Sequence, residues 1–477
     1  MWEDRPPKGD ADRAEGLRPE ARLLVMPFPP PDRTAAGGVP LGYQDGQVFV
    51  DAGEMHTLVI GSTGCRKTRL VVMPTVELLI RAGESMVVAD PKGEILDRTR
   101  GSLAAAGYTV KVIDLRNPAA GDCWNPLALP LELYRSADPR DRDRGRGLMA
   151  DLAANIIPDQ PGSDPYWRLS ARRFLQGLLE VLFDSGCDAA EVNIRSLVLL
   201  RETVADPDFL PLFSERFDRR SMAYLLLVGT LNNAENTRRC ILSQFDESVS
   251  AFLLQDSLAE MTGHNDIDFR QLTGGPAAFF LVVPDEKTTN HVLACFFLKQ
   301  CYEQLIGTAQ DRPQQRLPRR VNFVLDEFSS LPRINDFPAM IAAARSRSIR
   351  FLLVVQTRHQ LEAVYGPQTM TIVSNCDNWI FFTSREREFL EDLSVLCGED
   401  ADGRRRFSVS RLQHLDRDRG EVLVFHGHGH PFLSALQDIS AYPGRPYRAP
   451  AAGPRRALCP IIDAEALCRR LVSPRSR

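Results

Sequence analysis

Gly61-Ser62-Thr63-Gly64-Cys65-Arg66-Lys67-Thr68 is the segment from which the architecture of this chain follows. An apolar run, Met55–Ile60, precedes it and predicts a buried strand. An amphipathic segment, Lys67–Arg81, follows it and predicts a helix. This order is typical of a phosphate-binding loop, because the backbone amides of the turn and the positive end of the helix dipole both favour an anion. In such a loop Lys67 contacts the β- and γ-phosphates of a nucleotide, and Thr68 is a ligand of Mg²⁺.

The loop lacks one expected glycine. The pattern G-x-x-x-x-G-K-[ST] has glycine where this chain has Arg66. Glycine permits a backbone geometry and a close approach to phosphate that a side chain can block. Two interpretations therefore stay open for the segment. One is a nucleotide-binding loop, which the pattern favours, and the other is a strand–turn–helix connection without a ligand.

A second strand supplies the partner of this loop. The apolar run Val321–Leu325 ends in two carboxylates, Asp326 and Glu327, as a Walker B element requires. In that role Asp326 holds Mg²⁺, directly or through water, and Glu327 polarises the attacking water. Strand ends and helix caps also carry such pairs, but the loop upstream favours the catalytic interpretation.

Two more residues are candidates for the same site. Gln356 follows the predicted strand Arg350–Val355 and is expected at the sheet edge where ligands bind. It either senses the γ-phosphate and orients water, or only caps the next helix. Arg345 is either a finger that completes the site of a neighbouring subunit or a cation favoured by a helix C-terminus.

The segment His426-Gly427-His428-Gly429-His430 predicts a turn between strands rather than a metal site, because no cysteine cluster supports a metal site.

Strand and helix patterns alternate on both sides of a helical interruption. The alternation predicts an α/β fold with a largely parallel central sheet, and the interruption predicts an inserted all-α domain. The predicted parts are a flexible leader, 1–40, a discontinuous nucleotide-binding domain, 41–121 and 269–442, an inserted helical domain, 122–268, and an Arg/Pro-rich tail, 443–477. The predicted strands are Met55–Ile60, Met86–Ala89, Val110–Asp114, Ala277–Val283, Val321–Leu325, Arg350–Val355, Trp379–Phe382, Glu421–His426 and Phe432–Leu436.

Composition limits the class of protein. The formal net charge of the 477 residues is -4, so any contact with DNA requires a local basic surface. No run approaches the roughly 18–20 apolar residues that cross a bilayer, and the N-terminus is polar. The ten cysteines include no C-x-x-C pair. These features predict a protein of the reducing cytoplasm.

Taken together, the motifs resemble those of TraG-type coupling proteins, which bring DNA or protein cargo to conjugation and type IV secretion machines. The matching stretches occur in the family's order and cover roughly residues 47–440. They are His56–Thr68, Val87–Glu94, Trp124–Leu127, Asp164–Trp167, Phe269–Pro284, Val324–Phe328, Ala343–Arg347, Val354–Thr357 and Leu415–His426.

The resemblance implies a RecA-like P-loop domain, related to FtsK- and HerA-type translocases, and a homo-hexameric ring with ATP and Mg²⁺ between subunits. It assigns Arg345 as the trans-acting finger and Gln356 to the ATP site. The implied partners are DNA, the type IV secretion machinery, and a relaxase or effector that the helical domain recognises. Many family members have N-terminal transmembrane helices. Their absence here predicts a soluble form, cytoplasmic or held at the inner face of the membrane by its partners.

Three functional hypotheses follow. The first is an ATP-driven coupling protein that recruits and moves DNA or nucleoprotein. The second is a non-hydrolysing, nucleotide-binding recruitment scaffold, because Arg66 could fill the phosphate site or lock a nucleotide in place. The third is a related hexameric translocase with the same motor chemistry in repair, segregation or phage defence. The matched site residues favour nucleotide binding, and Arg66 counts against hydrolysis. Those matched residues are Lys67, Thr68, Asp326, Glu327, Arg345 and Gln356.

Overall fold

The computed structural model describes residues 23–159, 164–206, 209–284, 286, 290–447 and 458–472. These residues form two compact units. The α/β unit contains the described residues up to Val112, Asp268–Glu286, and the described part of Cys301–Ala451. The helical unit contains those of Ile113–Ile267, Lys287–Gln300 and Ala452–Arg477.

Two sheets contain the strands of the described residues. The strands are β1 Leu23–Pro27, β2 Val39–Gln44, β3 Gln47–Asp51, β4 Thr57–Ile60, β5 Ser85–Ala89, β6 Thr109–Asp114, β7 Ala277–Val282, β8 Val321–Leu325, β9 Ile349–Val355, β10 Asn378–Phe381, β11 Glu421–His426 and β12 Phe432–Ala435. The large sheet has nine strands in the order β12-β11-β10-β4-β9-β8-β5-β7-β6. From β10 to β7 each strand is parallel to its neighbours within that run, and β11 and β12 extend the sheet with antiparallel pairs.

The sequence-based prediction of an α/β fold with a largely parallel sheet is confirmed. Each of the nine predicted strands is present, and β8 and β11 have the predicted bounds. Strands buried on both faces consist of continuous apolar residues, which makes them easy to recognise in a sequence. β4 lies between β10 and β9, and β9 separates it from β8. The segments that follow β4, β8 and β9 therefore emerge at one edge of the sheet, because these strands are parallel.

Helices cover both faces of the large sheet. One face, which includes Val88 and Val354, packs against helices Met73–Ala82 and Glu94–Ala105. The other face is rich in aromatic rings: the centroids of Phe323 and Phe351 lie 4.9 Å apart. The other helices that lie wholly in the α/β unit are Gln271–Gly274, Phe337–Ala344, Arg358–Tyr365, Thr369–Ser374, Arg387–Leu396 and Val409–Gln413.

The small sheet corrects the prediction of a flexible leader over residues 1–40. β1 and the first residues of β2 lie in that range, and both strands pair antiparallel with β3. Met26 is buried with Val48 and Val50 against Leu78 of the first helix. The five-residue strand β1 ends in proline and is too short to give a clear pattern, so pairing with β3 defines it. The first 22 residues of the predicted leader lie outside the described residues.

The helical unit consists of packed helices. Its described helices are Ala128–Tyr134, Pro139–Ile156, Pro165–Asp184, Ile194–Val204, Phe209–Arg216, Met222–Leu231, Glu235–Leu253, Asp256–Gly263 and Ala464–Val472, and His291–Gln310 begins in this unit. In the described parts of the chain, no helix combines the length and the apolar character that a membrane span needs.

Two helical predictions need correction. Helical periodicity in the sequence predicts one helix over Ile241–Met261, but this segment is divided between Glu235–Leu253 and Asp256–Gly263, because Gln255 has extended backbone angles. The tail 443–477, which its arginine and proline content predicts to be loose, contains the helix Ala464–Val472. That helix buries Leu467 and Cys468, so its amphipathic pattern is satisfied by packing.

Candidate nucleotide-binding site

The predicted phosphate-binding loop leaves the carboxyl end of β4. Its first amide groups are held by the adjacent strands: the Gly61 amide donates to the Val355 carbonyl at 3.3 Å, and the Ser62 amide donates to the Thr383 carbonyl at 3.0 Å. Glycine fits position 61 best, because a Cβ atom there would lie 2.7 Å from the Cys65 sulfur and 2.8 Å from the Phe382 Cβ, so a neighbour would have to shift. A helical segment begins at Thr68 and continues into Met73–Ala82. The loop therefore lies in the strand-to-helix position that phosphate binding needs.

Lys67 is folded back into its own loop. Its side chain is only 5% exposed, and Nζ donates to the Gly61 carbonyl at 2.6 Å and to the Ser62 carbonyl at 3.3 Å. The loop thus surrounds a buried ammonium group with carbonyl oxygens. Such a cation, placed beside the amides of a helix start, is suited to an anionic ligand.

Thr68 and Asp326 meet across the strand β9. The Thr68 hydroxyl donates to Asp326 Oδ2 at 2.8 Å. Burial raises the pKa of Asp326 to about 6; the nearby Glu327 carboxylate adds to this rise, whereas the Thr68 hydrogen bond and the Lys67 charge oppose it. A hydroxyl and a buried carboxylate are hard oxygen donors of the kind Mg²⁺ prefers. These two residues therefore fit a Mg²⁺ site.

Gln356 links the loop to Glu327. The Thr63 hydroxyl donates to Gln356 Oε1 at 2.9 Å, and Gln356 Nε2 donates to Glu327 Oε2 at 2.9 Å. The side-chain contacts of Gln356 do not fit the alternative prediction, in which this residue caps the next helix. The cap of helix Arg358–Tyr365 is Thr357, whose hydroxyl accepts from the Gln360 amide. Gln356 therefore spans the gap between the loop and the acidic strand end.

Arg66 has a backbone conformation that glycine adopts more easily than other residues. Its φ angle is +71°, in the left-handed region that favours glycine. The guanidinium points to Asp438, where Nη2 lies 2.5 Å from Oδ2. Cys65, the preceding residue, is buried, and burial raises the pKa of its thiol. Neither Cys65 nor Arg66 changes the strand–loop–helix path.

Arg345 lies apart from these residues within one chain. It begins a short turn that leads into β9, so it lies near the start of that strand, whereas Gln356 follows its end. Seven strand residues at about 3.3 Å each place the two ends about 20 Å apart. The Arg345 side chain is 56% exposed and donates to Asp377 at 2.8 Å. The structure thus brings together every predicted site residue except Arg345.

One part of this sheet edge has no recognisable signal in the sequence. A pocket of about 440 Å³ lies beside the loop. Arg417 lies in it and donates to the Gly64 carbonyl, so it tethers the loop to the segment before β11. The stretch Leu415–His426 matched the family pattern, but nothing in its composition indicated a contact with the loop. The pocket-lining residues include Ser62, Cys65, Phe382, Arg385, His414 and Arg417.

The chain is similar in sequence to conjugation proteins. A family model described as type IV secretory system conjugative DNA transfer matches residues 8–419. The conjugal transfer protein TraG of Escherichia coli is 26% identical over an alignment of 414 positions, which covers 81% of this chain and 62% of TraG. The chain therefore spans less than two thirds of the length of this relative.

Solved structures of conjugation proteins are also similar to this chain in fold. The plasmid coupling protein TrwB in complex with the ATP analogue ADPNP matches with a TM-score of 0.59 and 18% identity, over 81% of this chain and 86% of the TrwB chain. The TrwB complex with ADP and Mg²⁺ gives the same values. This similarity shows a RecA-type fold, as the resemblance implied. Because the family model covers most of the chain, the protein belongs to the type IV secretory system conjugative DNA transfer family, and its resemblance to TraG-type coupling proteins is confirmed.

Proposed function

We propose that the protein is an ATP-driven coupling protein, which binds ATP at Gly61–Thr68 and hydrolyses it to recruit and move DNA or nucleoprotein. One observation carries the proposal. The loop after β4, the carboxylates after β8 and the glutamine after β9 form one hydrogen-bonded group, in which Thr68 contacts Asp326 and Gln356 contacts Glu327. A strand–turn–helix connection that binds no ligand would not need these polar side chains to meet at one edge of the sheet.

The residues have distinct roles in the proposed reaction. Lys67 exchanges its loop carbonyls for the β- and γ-phosphates, and Thr68 and Asp326 hold Mg²⁺. Bound Mg²⁺ neutralises charge that develops on the phosphates. Glu327 accepts a proton from the attacking water, whose oxygen bonds to the γ-phosphorus while the bond to the β–γ bridging oxygen breaks. Gln356 fixes the Glu327 carboxylate in position for that proton transfer.

A ring of identical subunits completes the proposal. Arg345 lies too far from the site of its own chain to contact the γ-phosphate, so it reaches the site of the next subunit in a homo-hexamer.

The ATP analogue and the ADP–Mg²⁺ found in TrwB support ATP and Mg²⁺ as ligands here. DNA, a relaxase or effector, and the secretion machinery are the partners. The protein then acts in the cytoplasm or at the inner face of the membrane, held there by those partners.

The test combines binding and turnover. A fluorescent ATP analogue with Mg²⁺ is titrated into the natural protein and into Lys67→Ala, and steady-state ATPase is measured with and without DNA. We expect binding that Lys67→Ala abolishes, and hydrolysis that Glu327→Gln lowers by about 10²-fold or more while binding remains. Absence of ATPase in both conditions, with no effect of Glu327→Gln, would refute the motor.

Arg66 motivates the second candidate, a nucleotide-binding scaffold that recruits cargo without hydrolysis. Its left-handed backbone is costly for a residue with a side chain, and the loop lacks the flexibility that glycine gives. Arg66→Gly separates the two candidates. If ATPase activity appears only in that variant, the natural protein is the scaffold.

A translocase in repair or defence shares the motor chemistry, and neighbouring genes would distinguish it from a transfer protein.

A further inference from the structure

Asp438 binds two arginines of the phosphate-binding region. Its Oδ2 lies 2.5 Å from Nη2 of Arg66, and its Oδ1 lies 2.5 Å from Nη2 of Arg69. Arg69 Nε also donates to Oδ2, at 2.9 Å. The Asp438 side chain is 14% exposed, so this group is partly shielded from solvent. A single carboxylate therefore fixes both the loop and the first helical turn after it.

The segment around Asp438 is itself held in place. Asp438 caps the short turn Ile439–Ala441 by accepting from the Ser440 amide at 2.9 Å. Ile439 and Tyr442 are buried, and Arg98 donates to both of their carbonyls, at 3.1 and 3.0 Å. Burial alone would raise the pKa of Asp438. Hydrogen bonds from Arg69, Ser440 and Arg66 outweigh that effect and hold this pKa below its ordinary value.

Arg66 needs such an anchor for a conformational reason. A left-handed backbone is strained for a residue that has a side chain, and glycine avoids this strain. The Arg66 carbonyl also accepts from the Leu70 amide at 2.9 Å, so its orientation helps to start the helix. If Arg66 relaxed to a negative φ, the amide of Lys67 and the start of the helix would turn with it.

We propose that Asp438 is a positioning residue that holds Arg66 in the left-handed conformation and thereby keeps a phosphate-binding loop without its usual glycine able to bind nucleotide. This inference rests on the proposed function of the loop. It also explains how the chain tolerates arginine at this position. Glycine adopts the left-handed conformation readily because it has no side chain. In this chain the ion pair with Asp438, near the C-terminal end of the α/β unit, stabilises the same conformation of Arg66.

A double-mutant cycle tests the inference. The affinity for a fluorescent ATP analogue with Mg²⁺ is measured for the natural protein, Asp438→Asn, Arg66→Gly and the double variant. Asparagine can still cap the turn, so Asp438→Asn removes mainly the charge. In the natural background we expect Asp438→Asn to weaken binding at least fivefold, which corresponds to about 1 kcal/mol. In the Arg66→Gly background the same change should weaken binding by a smaller factor, because glycine needs no anchor and only the contact with Arg69 is lost.

The control is Asp32→Asn, which removes an aspartate that pairs with Arg445 in the same unit. Equal effects of Asp438→Asn in the two backgrounds, or unchanged affinity in the natural one, overturn the inference while the proposed function stands. Binding that appears only when Arg66→Gly is present also overturns it, since Asp438 would then not keep the natural loop competent. If none of the four proteins binds nucleotide, the proposed function fails and the inference fails with it.

Discussion

The hydroxyl of Thr68 donates a 2.8 Å hydrogen bond to the carboxylate of Asp326, which lies 258 residues further along the chain. The two residues follow β4 and β8, which are not neighbours in the sheet, because β9 lies between them. Parallel strands bring their carboxyl ends to one edge, so only the fold places these side chains together. The pair is the part of the proposed site most directly tied to Mg²⁺.

Asp326→Asn should therefore weaken Mg²⁺-dependent nucleotide binding. The amide has no negative charge to offer the cation, and we expect the affinity for a fluorescent ATP analogue to fall about tenfold or more in Mg²⁺. In EDTA the variant and the natural protein should differ little. Asp336→Asn is the matched control, because Asp336 is exposed and asparagine tolerates its left-handed backbone. Equal affinities with Mg²⁺ would contradict the assignment.

Gln356→Ala should separate turnover from binding. The glutamine holds Glu327 by a 2.9 Å hydrogen bond but is not assigned to the phosphates or to Mg²⁺. We expect kcat for ATP to fall by about 10- to 100-fold, as for a misplaced general base, with KM changed by less than about threefold. Gln360→Ala is the control, because Gln360 is exposed and its side chain contacts Ser329 instead. A variant whose KM alone changes would show that Gln356 binds substrate.

Local patterns predicted the strands and the loop well, for a physical reason. A strand buried on both faces consists of an uninterrupted apolar run, as in β8, and a polar pair after it marks the sheet edge. The same reasoning placed Gln356 beside the site. It could not identify Thr63 and Glu327 as its partners, because side-chain direction depends on the packing of loops that the sequence does not specify.

Features that depend on distant contacts were missed or wrong. β1 is stabilised by pairing with β3 and was predicted as part of a flexible leader. The helix Ala464–Val472 lies in a segment rich in arginine and proline, and its packing in the helical unit was not visible from its sequence. Asp438 is 372 residues from Arg66, in a segment that otherwise predicts only a strand end. No local sequence pattern indicates that two residues so far apart in the chain form an ion pair.

His56 should make the stability of the protein depend on pH. Its Nδ1 accepts from the Phe351 amide at 3.0 Å, and its Nε2 lies 3.0 Å from the Ile341 carbonyl, so the folded state needs a neutral ring. Burial lowers the pKa of His56 to about 4, below its ordinary value of 6.5. Between these values the unfolded chain binds a proton that the folded chain does not, so the free energy of unfolding falls as pH falls.

The expected loss is about 1.4 kcal/mol per pH unit within that window, or about 3 kcal/mol from pH 6.5 to 4. His56→Gln does not titrate, so denaturant midpoints measured at pH 7.5, 5.5 and 4.5 should decline less steeply for this variant. At pH 7.5 the variant should be less stable, since it loses the packing of the ring against Phe351. His414→Gln, at an exposed histidine, controls for the loss of a histidine as such. Parallel pH profiles for the natural protein and His56→Gln would exclude this role.

Arg345→Ala should abolish hydrolysis without abolishing nucleotide binding. The side chain lies near the start of β9, about 20 Å from the end where Gln356 lies, so it has no path to the γ-phosphate of its own chain. An arginine finger contributes about 10³-fold or more to turnover. Arg347→Ala, whose side chain contacts Gln315, is the matched control and should retain most of the ATPase activity.

Mixing two inactive variants tests whether the finger acts between subunits. Lys67→Ala has a defective loop but an intact Arg345, and Arg345→Ala has the reverse. In a mixed ring, an intact loop sometimes faces an intact finger from its neighbour, so ATPase activity should reappear on mixing. A chain in which Arg345 served its own site would give no active combination, since every subunit would lack one of the two groups. Activity that stays absent when mixed rings are shown to form would therefore exclude Arg345 as a finger that acts between subunits.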